Sequence, residues 1–366
     1  MSLTLTVDGD RWRSHLLRVA AANPGLVPVA KGNGYGFGLA RLARKAQWLH
    51  EHAEVGPGPA VADVLAVGTY DELPQVAQRF DGSLLVLTPW RPFGAALEID
   101  PALHDRVIHT VSRTQDLTDL LDRRPDARFV LERLTSMQRH GLEARELWAV
   151  ARLLQDRPRA RLEGVALHLP LAQGSHLSQV TRLMTDVVGA ELPDGPGART
   201  VWVSHLTDDE LGTLRASYAD FAIRPRIGTA LWLGDRGALR VTATVLDVHP
   251  VERGDAFGYR GRTAPKAGHL LVVTGGTAHG IGLEAPTGDS GIKARAATLA
   301  RGGLDAVGFV RSPFSIDGKQ RLFAEPPHMQ ASMLFVPAGS HVPEVGDLVE
   351  VRVRYTATAF DRVDLS

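Results

Sequence analysis

The residues with the clearest chemical potential lie in an apolar run and the glycine-rich segment that follows it. Residues 26–30 are apolar, as is typical of a short buried strand, and Lys31 follows them directly. Glycine occupies every second position from 32 to 38, which lets the backbone turn tightly and approach a ligand. A lysine in such a loop can be desolvated enough to lower its pKa and act as a Schiff-base amine, nucleophile or base. The local pattern also fits a surface lysine in a tight turn.

Lysine is scarce in this chain. Of the 41 lysine and arginine residues, five are lysines: Lys31, Lys45, Lys266, Lys293 and Lys319. Because arginine is the usual cation here, a retained lysine more often performs a task that arginine cannot perform. The composition therefore favours a chemical role for Lys31.

The composition also excludes several kinds of chemistry. The 366 residues include no cysteine, which excludes disulfides, thiolate metal ligands and cysteine nucleophiles. The formal net charge at pH 7 is +0, so neither a nucleic-acid footprint nor a basic membrane patch is predicted. We see no signal-peptide pattern and no apolar window long enough to span a bilayer. We expect a soluble, cytoplasmic protein without a metal site and without nucleic-acid or membrane partners.

The elements that would position Lys31 alternate between strand and helix patterns. Eight such units, over about 230 residues, fit a (β/α)8 TIM-type barrel. An open doubly wound sheet is the alternative, although its first turn usually carries Gly-x-Gly-x-x-Gly. From Val241 onward, short apolar runs separated by Gly, Pro and Asp turns predict an all-β domain. We therefore expect a barrel over residues 1–238 and a C-terminal β domain over residues 239–366.

Residues 31–38, Lys-Gly-Asn-Gly-Tyr-Gly-Phe-Gly, resemble the cofactor-lysine motif of the alanine racemases, Lys-Ala-Asn-Ala-Tyr-Gly-His-Gly. Glycine replaces both alanines of the family motif, and Phe37 replaces its histidine. In that family the lysine holds pyridoxal 5′-phosphate (PLP) as a Schiff base, and the tyrosine contacts the phosphate. The resemblance therefore implies PLP as the cofactor, with Lys31 and Tyr35 among the residues that bind it.

A second motif follows the strand pattern that ends at Leu131. Residues 135–141, Thr-Ser-Met-Gln-Arg-His-Gly, resemble the family segment Thr-Gly-Met-Gly-Arg-Leu-Gly. Barrel strands point their carboxyl ends at the active-site mouth, and an arginine fork binds a carboxylate in two hydrogen bonds. The resemblance implies that Arg139 lies near the substrate carboxylate and the cofactor's phenolic oxygen. Taken alone, the segment also fits a solvated loop.

Two later strand patterns end in polar residues. Residues 162–169 predict a buried strand with His168 at its end, similar to the family histidine that stacks on the pyridine ring. Residues 203–205, Val-Ser-His, stand where the family has Asn-Ser with a phosphate-binding serine. The resemblance assigns that role to Ser204, and a shift of one residue would assign it to His205. A lone histidine closing an apolar strand is otherwise typical of a satisfied core residue.

The last barrel motif, residues 223–232, is similar to the family segment Arg-x-Gly-Ile-Ala-x-Tyr-Gly. The resemblance places Arg226 at the pyridine nitrogen and Gly228 and Thr229 at the phosphate, near the last strands of the barrel. Arginine does not give up its proton, so it keeps that nitrogen unprotonated and the ring a weaker electron sink. Such tuning favours brief removal and return of the α-proton over side reactions.

The resemblance weakens where the family supplies its second base. Racemisation needs a proton donor and acceptor on each face of a planar carbanion. The family uses a tyrosine in Gly-Tyr-Ala-Asp-Gly of the neighbouring subunit, whereas residues 276–280 here read Gly-Thr-Ala-His-Gly. Thr277 has no accessible ionisation, but a histidine such as His279 has a suitable ordinary pKa. The second base is thus His279 or an unidentified group, and Tyr259 is interpreted as structural.

Together the motifs predict a divergent, PLP-binding relative of the alanine racemases. The first hypothesis is an amino-acid racemase for a small-molecule substrate, with Lys31, Arg139 and His279 as catalytic residues. The second is a one-base PLP enzyme, such as a lyase or decarboxylase, although the missing cysteine weakens the versions that need one. The third is a catalytically impaired PLP-binding protein. The family also implies a homodimer with shared active sites, in which residues 326–330 or 315–317 would reach the partner's substrate.

Overall fold

The computed structural model describes residues 2–54, 58–171, 174–283 and 310–366. The chain divides, as far as it is described, into two compact units. The barrel unit contains Arg13–Gly34 and Gly38–Gly234, and the β unit contains Met1–Trp12, Tyr35–Phe37 and Asp235–Ser366. The last segment of the β unit begins at Asp235, two short segments from the first forty residues also belong to this unit, and the boundary after residue 238 stays a prediction.

The first strand of the chain, β1, is Leu3–Val7 and belongs to the β unit, and the next eight strands form a parallel sheet in the barrel unit. These strands are β2 (Val27–Pro28), β3 (Val64–Val67), β4 (Ser83–Val86), β5 (Val107–Val111), β6 (Arg128–Arg133), β7 (Arg161–His168), β8 (Thr200–Ser204) and β9 (Ala222–Ile227). Their order among the described residues is β2-β9-β8-β7-β6-β5-β4-β3, and a parallel bridge between Val29 and Ala66 closes the ring. This closure confirms the barrel and excludes the open doubly wound sheet.

Helices connect most of the barrel strands. They are α1 (Gly9–Ala22), α2 (Leu39–His52), α3 (Leu73–Ala77), α4 (Thr114–Arg123), α5 (Ala144–Gln155), α6 (Leu177–Gly189), α7 (Asp208–Ser217) and α8 (Thr229–Leu233). Helix α2 shows why they form: its buried residues recur at helical spacing and make one apolar face, namely Leu39, Leu42, Ala43, Ala46 and Leu49. Helix α7 begins with a capping box, in which the Thr207 hydroxyl accepts the Glu210 N–H at 3.2 Å and the Glu210 carboxylate accepts the Thr207 N–H at 3.0 Å.

The interior of the barrel is a packed apolar layer rather than a pore. Its buried residues come from most of the strands: Val27, Val29, Val64, Ala66, Leu85, Ile108, Val130, Ala166 and Trp202. The Trp202 indole N–H donates to the Glu163 carbonyl at 2.8 Å, and Gly164 gives the indole room, since a Cβ there would lie 2.7 Å from its nitrogen. Polar side chains that share the barrel interior therefore concentrate at the carboxyl ends of the strands.

The β unit is built on a mostly antiparallel sheet. Its later strands are β10 (Leu239–Val251), β11 (Ala256–Phe257), β12 (Arg262–Thr263), β13 (Gly268–Thr274), β14 (Arg311–Ile316), β15 (Lys319–Phe323), β16 (Ala331–Pro337), β17 (Leu348–Val351) and β18 (Arg362–Leu365). Strand β1 pairs antiparallel with β10 and parallel with β18, which is why the first residues belong to this unit. The sheet confirms the expected all-β C-terminal domain. In the described part of the chain, every helix is too short or too polar to traverse a bilayer.

Candidate active site

Lys31 lies where the first barrel strand ends. The Ala30 N–H donates to the Ala66 carbonyl at 2.8 Å, and the Val29 N–H donates to the Ile227 carbonyl at 3.0 Å, so the backbone before Lys31 is fixed on both sides. The loop beyond it needs glycine at position 34, because φ there is 62° and a Cβ would lie 2.8 Å from the Leu39 nitrogen. The Lys31 side chain is exposed, and its amine has no hydrogen bond or ion pair to the described residues.

The surroundings of Lys31 lower the pKa of its amine from the ordinary value. Desolvation is the largest cause, the positive charges of Arg139 and Arg226 act in the same direction, and Glu72 opposes them. A lower pKa raises the fraction of neutral amine at physiological pH. The neutral amine is the form that can attack a carbonyl carbon or accept a proton.

Arg226, on β9, is the most unusual polar residue of the barrel. The residue is only 6% exposed, and its buried Nε and Nη2 atoms have no hydrogen-bond partner among the described residues. Its Nη1 lies 4.0 Å from Oε2 of Glu132, a buried residue of β6. Burial lowers the pKa of Arg226 and raises the pKa of Glu132. Unpaired buried donors are costly, so their presence points to a ligand that accepts from them.

His168 and Ser204 end two neighbouring strands and contact each other. The His168 Nδ1 and the Ser204 hydroxyl are joined by a hydrogen bond of 2.6 Å. The pKa of His168 is lowered to about 3, mainly by burial and then by the charge of Arg226. His168 is therefore neutral at physiological pH. The hydroxyl of Ser204 is already engaged in this contact.

His205 follows Ser204 and has a different environment. Its side chain is exposed, and its ring centroid lies 5.1 Å from that of His168. Its Nδ1 contacts the Leu169 carbonyl at 2.6 Å and must donate there, which leaves Nε2 as the unprotonated atom of the neutral ring. Its φ is 64°, a strained backbone for a residue other than glycine. The structure thus makes His205 the more accessible of the two residues that the sequence proposes for a phosphate.

Arg139 lies in the loop after β6, and its side chain is exposed. This loop is held by the Leu142 N–H, which donates to the Glu132 carbonyl at 2.8 Å, and by the Thr135 hydroxyl, which donates to the His168 carbonyl at 2.7 Å. The charge of Arg139 affects the pKa of Lys31, Glu132, Arg226 and His168. The structure therefore brings Arg139 to the same mouth of the barrel.

Gly228 and Thr229 lie at the end of β9, and Thr229 is the first residue of α8. Thr229 is exposed, and no side chain caps this helix at Gly228. The Trp232 indole N–H of the same helix donates to the Val29 carbonyl at 2.7 Å. This contact ties α8 to the strand that carries Lys31. Their contact with a phosphate stays a prediction.

Two predicted site residues lie in the β unit. Tyr35 is buried with φ of 54°, and burial raises the pKa of its phenol to about 12. His279 is 6% exposed; its Nδ1 accepts the Gly276 N–H at 3.2 Å, and its Nε2 lies 3.1 Å from Oδ1 of Asp361. Both ring nitrogens are therefore engaged, and these contacts do not support the predicted role of His279 as a base.

The structure also corrects the interpretation of Tyr259. Its side chain is 92% exposed, so it does not pack in the β unit. Only its backbone is held, by an N–H that donates to the buried Glu325 at 2.9 Å.

Two acidic residues of the barrel were missed in the sequence. Glu132 ends the apolar run of β6, and a lone acidic residue in that place could have signalled an inward-facing carboxylate. Glu72 follows β3 within an ordinary helix-start pattern, so nothing in its neighbourhood distinguishes it. Among the residues that the structure describes, no group of three or more His, Asp or Glu side chains is arranged for a metal ion.

The chain thus combines a closed (β/α)8 barrel, a lysine at the end of the first barrel strand, and a C-terminal β domain. Residues 7–191 match the family model described as alanine racemase, N-terminal domain, which covers about half of the chain. The chain belongs to the alanine racemase family.

Relatives and solved structures agree with this assignment. An alanine racemase of Nitratidesulfovibrio vulgaris is 28% identical over 275 residues, covering 70% of each chain. One of Mycolicibacterium vanbaalenii is 28% identical over 290 residues, covering 73% of this chain and 69% of the relative. The alanine racemase structure from Bartonella henselae with covalently bound pyridoxal phosphate superposes with a TM-score of 0.70 at 16% identity, covering 100% of both chains. That from E. faecalis gives 0.69 at 18% identity, covering 100% of this chain and 98% of the other. The structural likenesses support the fold.

Proposed function

We propose that this protein is a PLP-dependent amino-acid racemase of the alanine racemase type. Family membership supports a racemase-like role with this cofactor. The observation that carries the proposal is the pair of unpartnered donors on buried Arg226, at the same mouth as the accessible amine of Lys31. Buried N–H groups are normally satisfied, so the two unpartnered nitrogens of Arg226 favour a ligand that accepts hydrogen bonds from them.

The residues at the mouth fit PLP. Lys31 would hold the cofactor's aldehyde carbon, Arg226 would donate to the pyridine nitrogen, and the neutral ring of His168 would face the pyridine. Ser204, His205, Gly228 and Thr229 are the candidates for the phosphate. When bound, PLP supplies an electron-withdrawing ring that stabilises negative charge at the substrate's Cα.

Lys31 and Arg139 would act on different groups of the substrate, the Cα proton and the carboxylate. Lys31, with its lowered pKa, would take and return the Cα proton on one face. Arg139 is exposed at the mouth and can receive the substrate carboxylate in a two-pronged hydrogen bond. Arg226 keeps its own proton, which limits how much charge the ring withdraws and favours return of the proton to Cα.

A one-base PLP enzyme is the second candidate. It is favoured by Thr277, which replaces the family tyrosine, and by the engaged ring nitrogens of His279. Such an enzyme handles protons on one face only, so Lys31 would suffice. The homodimer with shared sites and the cytoplasmic location remain predictions.

Exchange of the Cα hydrogen for solvent deuterium tests the proposal. Purified protein loaded with PLP is incubated with L-alanine and D-alanine in separate tubes, and NMR follows exchange and interconversion. Exchange and interconversion of both enantiomers would support a racemase. Exchange of one enantiomer without its mirror image would contradict the racemase and favour the one-base enzyme.

The matched variants for this assay are Lys31→Ala and Lys45→Ala. Lys31→Ala should lose the covalently held cofactor and reduce exchange by about 10⁴-fold, because general-base catalysis and attachment are both removed. Lys45, in α2, should be dispensable. Retained exchange in Lys31→Ala would overturn the site assignment.

A further inference from the structure

Glu72 connects two neighbouring loops at the barrel mouth. It ends the short turn Tyr70–Glu72 that follows β3. Its Oε1 accepts the Gly32 N–H at 2.7 Å, and its Oε2 accepts the Gly68 N–H at 2.6 Å. Gly32 follows Lys31 directly, and Gly68 follows the last residue of β3. One carboxylate thus fastens the loop that carries the lysine to the strand beside it.

Both hydrogen bonds are of the strong kind. An ionised carboxylate that accepts a backbone N–H at such a distance forms a charge-assisted bond, about twice as strong as a neutral one. Oε2 also receives a longer contact of 3.4 Å from the Thr69 N–H at the start of the same turn. Two of the three N–H groups therefore belong to the segment of Glu72 itself, and the bond to Gly32 joins that segment to the loop of Lys31.

Gly68 makes this arrangement possible. A Cβ at position 68 would lie 3.0 Å from Cβ of Lys31 and 3.1 Å from Oε2 of Glu72. Any larger residue at position 68 would therefore displace either Cβ of Lys31 or the Glu72 carboxylate. The absence of a side chain here lets the negative charge approach Lys31.

The charges that face Lys31 are otherwise positive. Arg139 and Arg226 lower the pKa of Lys31, and Lys31 in turn lowers the pKa of His168 and His205. Glu72 acts in the opposite direction and raises the pKa of Lys31. Glu72 therefore balances part of the positive field in which the amine lies.

We propose that Glu72 is a positioning residue for Lys31, whose carboxylate holds the lysine's loop against β3 and places a negative charge near the base of the lysine side chain. The inference rests on the proposed function in so far as Lys31 is the cofactor lysine. Glu72 would then set both the direction of the amine and its strength as a base. It would act through Lys31 and would not contact the cofactor or the substrate.

The small number of lysines permits a direct test on the cofactor-free protein. Reductive methylation with isotopically labelled formaldehyde gives each of the five lysines its own NMR signal, and Lys31→Arg identifies the signal of Lys31. The titration midpoint of that signal is measured in the wild-type protein and in Glu72→Gln. Glutamine keeps the shape and one acceptor oxygen but removes the charge. The midpoint should fall, because the variant removes a negative charge that raises the pKa of Lys31.

Glu163→Gln is the matched control. Glu163 is a partly exposed carboxylate at the amino end of β7, where it contacts Arg128 at 2.7 Å. Its removal should leave the Lys31 titration unchanged. Glu72→Asp retains the charge at a greater distance and should give a smaller fall than Glu72→Gln. If Glu72→Gln does not fold, Glu72→Ala removes the same charge, and a midpoint equal to that of the wild type would then overturn the proposal.

PLP uptake, followed by visible absorbance, separates the two proposals. If Glu72→Gln folds and its Lys31 midpoint equals that of the wild type, the positioning role is overturned even where the wild type binds PLP and exchanges alanine. If the midpoint falls while no protein takes up PLP, the positioning role stands and the proposed function fails. When both hold, Glu72→Gln should lower kcat with little change in KM, because the base is altered and the substrate contacts are not.

Discussion

Among the described residues, buried polar groups lack some of their hydrogen-bond partners at the mouth of the barrel, whereas those of His279 in the β unit have theirs. At the mouth, Arg226 is buried with two unpartnered N–H groups, and the Lys31 amine has no hydrogen-bond partner in the described chain. In the β unit, His279 is equally buried, but each of its ring nitrogens has a partner. A polar group that only stabilises a fold is normally satisfied within it, whereas a binding site keeps some groups open for a ligand. The comparison therefore favours a site in the barrel, and the role of His279 as a base stays a prediction that its two contacts do not support.

Among the variants that test this comparison, the largest effect should come from making the mouth apolar. The double variant Glu132→Leu/Arg226→Met should lower racemisation by at least about 10²-fold, since it removes the donor to the pyridine nitrogen. Its cofactor-free form should be as stable as the wild type or more stable by about 1–4 kcal/mol, because a costly buried charge pair is removed. Urea unfolding of both cofactor-free proteins measures this difference. A clear loss of stability would mean that the pair serves the fold rather than a ligand.

The opposite result is expected for His279→Ala. Loss of its contacts to Gly276 and Asp361 should reduce the free energy of unfolding by about 1–3 kcal/mol. PLP uptake and racemisation per folded molecule should stay within a few-fold of the wild type. Urea unfolding and the deuterium-exchange assay measure the two quantities. A strong loss of exchange in a protein of unchanged stability would restore His279 as a base.

A smaller effect should appear in the pH dependence of stability. The folded protein holds His168 neutral with a pKa of about 3, below its ordinary value near 6.5, so the unfolded chain binds more protons between these limits. The contribution of His168 is present above pH 6.5 and is lost as the pH falls toward 3. His168→Asn should therefore reduce the slope of stability against pH by about one proton in this window. An unchanged slope, measured by urea unfolding at several pH values, would place His168 in a more solvated setting.

Much of the barrel could be predicted from local pattern. Helix α2 is an example, because the apolar residues of its buried face recur in consecutive turns of the chain and local spacing is enough to predict it. The pairing of β1 with β10 and β18 could not be read in this way. The partner strands of β1 lie more than two hundred residues away in the sequence. Neither the length of β1 nor its alternation of apolar and polar residues predicts which strands they are.

The sequence by itself determined the lysine, its glycine loop, the arginines and histidines at the strand ends, and the family to which they point. These features are local, since a strand end followed by a given residue type is visible in a few consecutive positions. Only the tertiary structure decided which of these groups are open and which are satisfied. It left two buried nitrogens of Arg226 without partners among the described residues, gave His279 two partners, and joined Glu72 to the N–H of Gly32, next to Lys31. The reason is physical: hydrogen bonding, desolvation and charge depend on neighbours in space, and in a closed barrel those neighbours come from strands far apart in the chain.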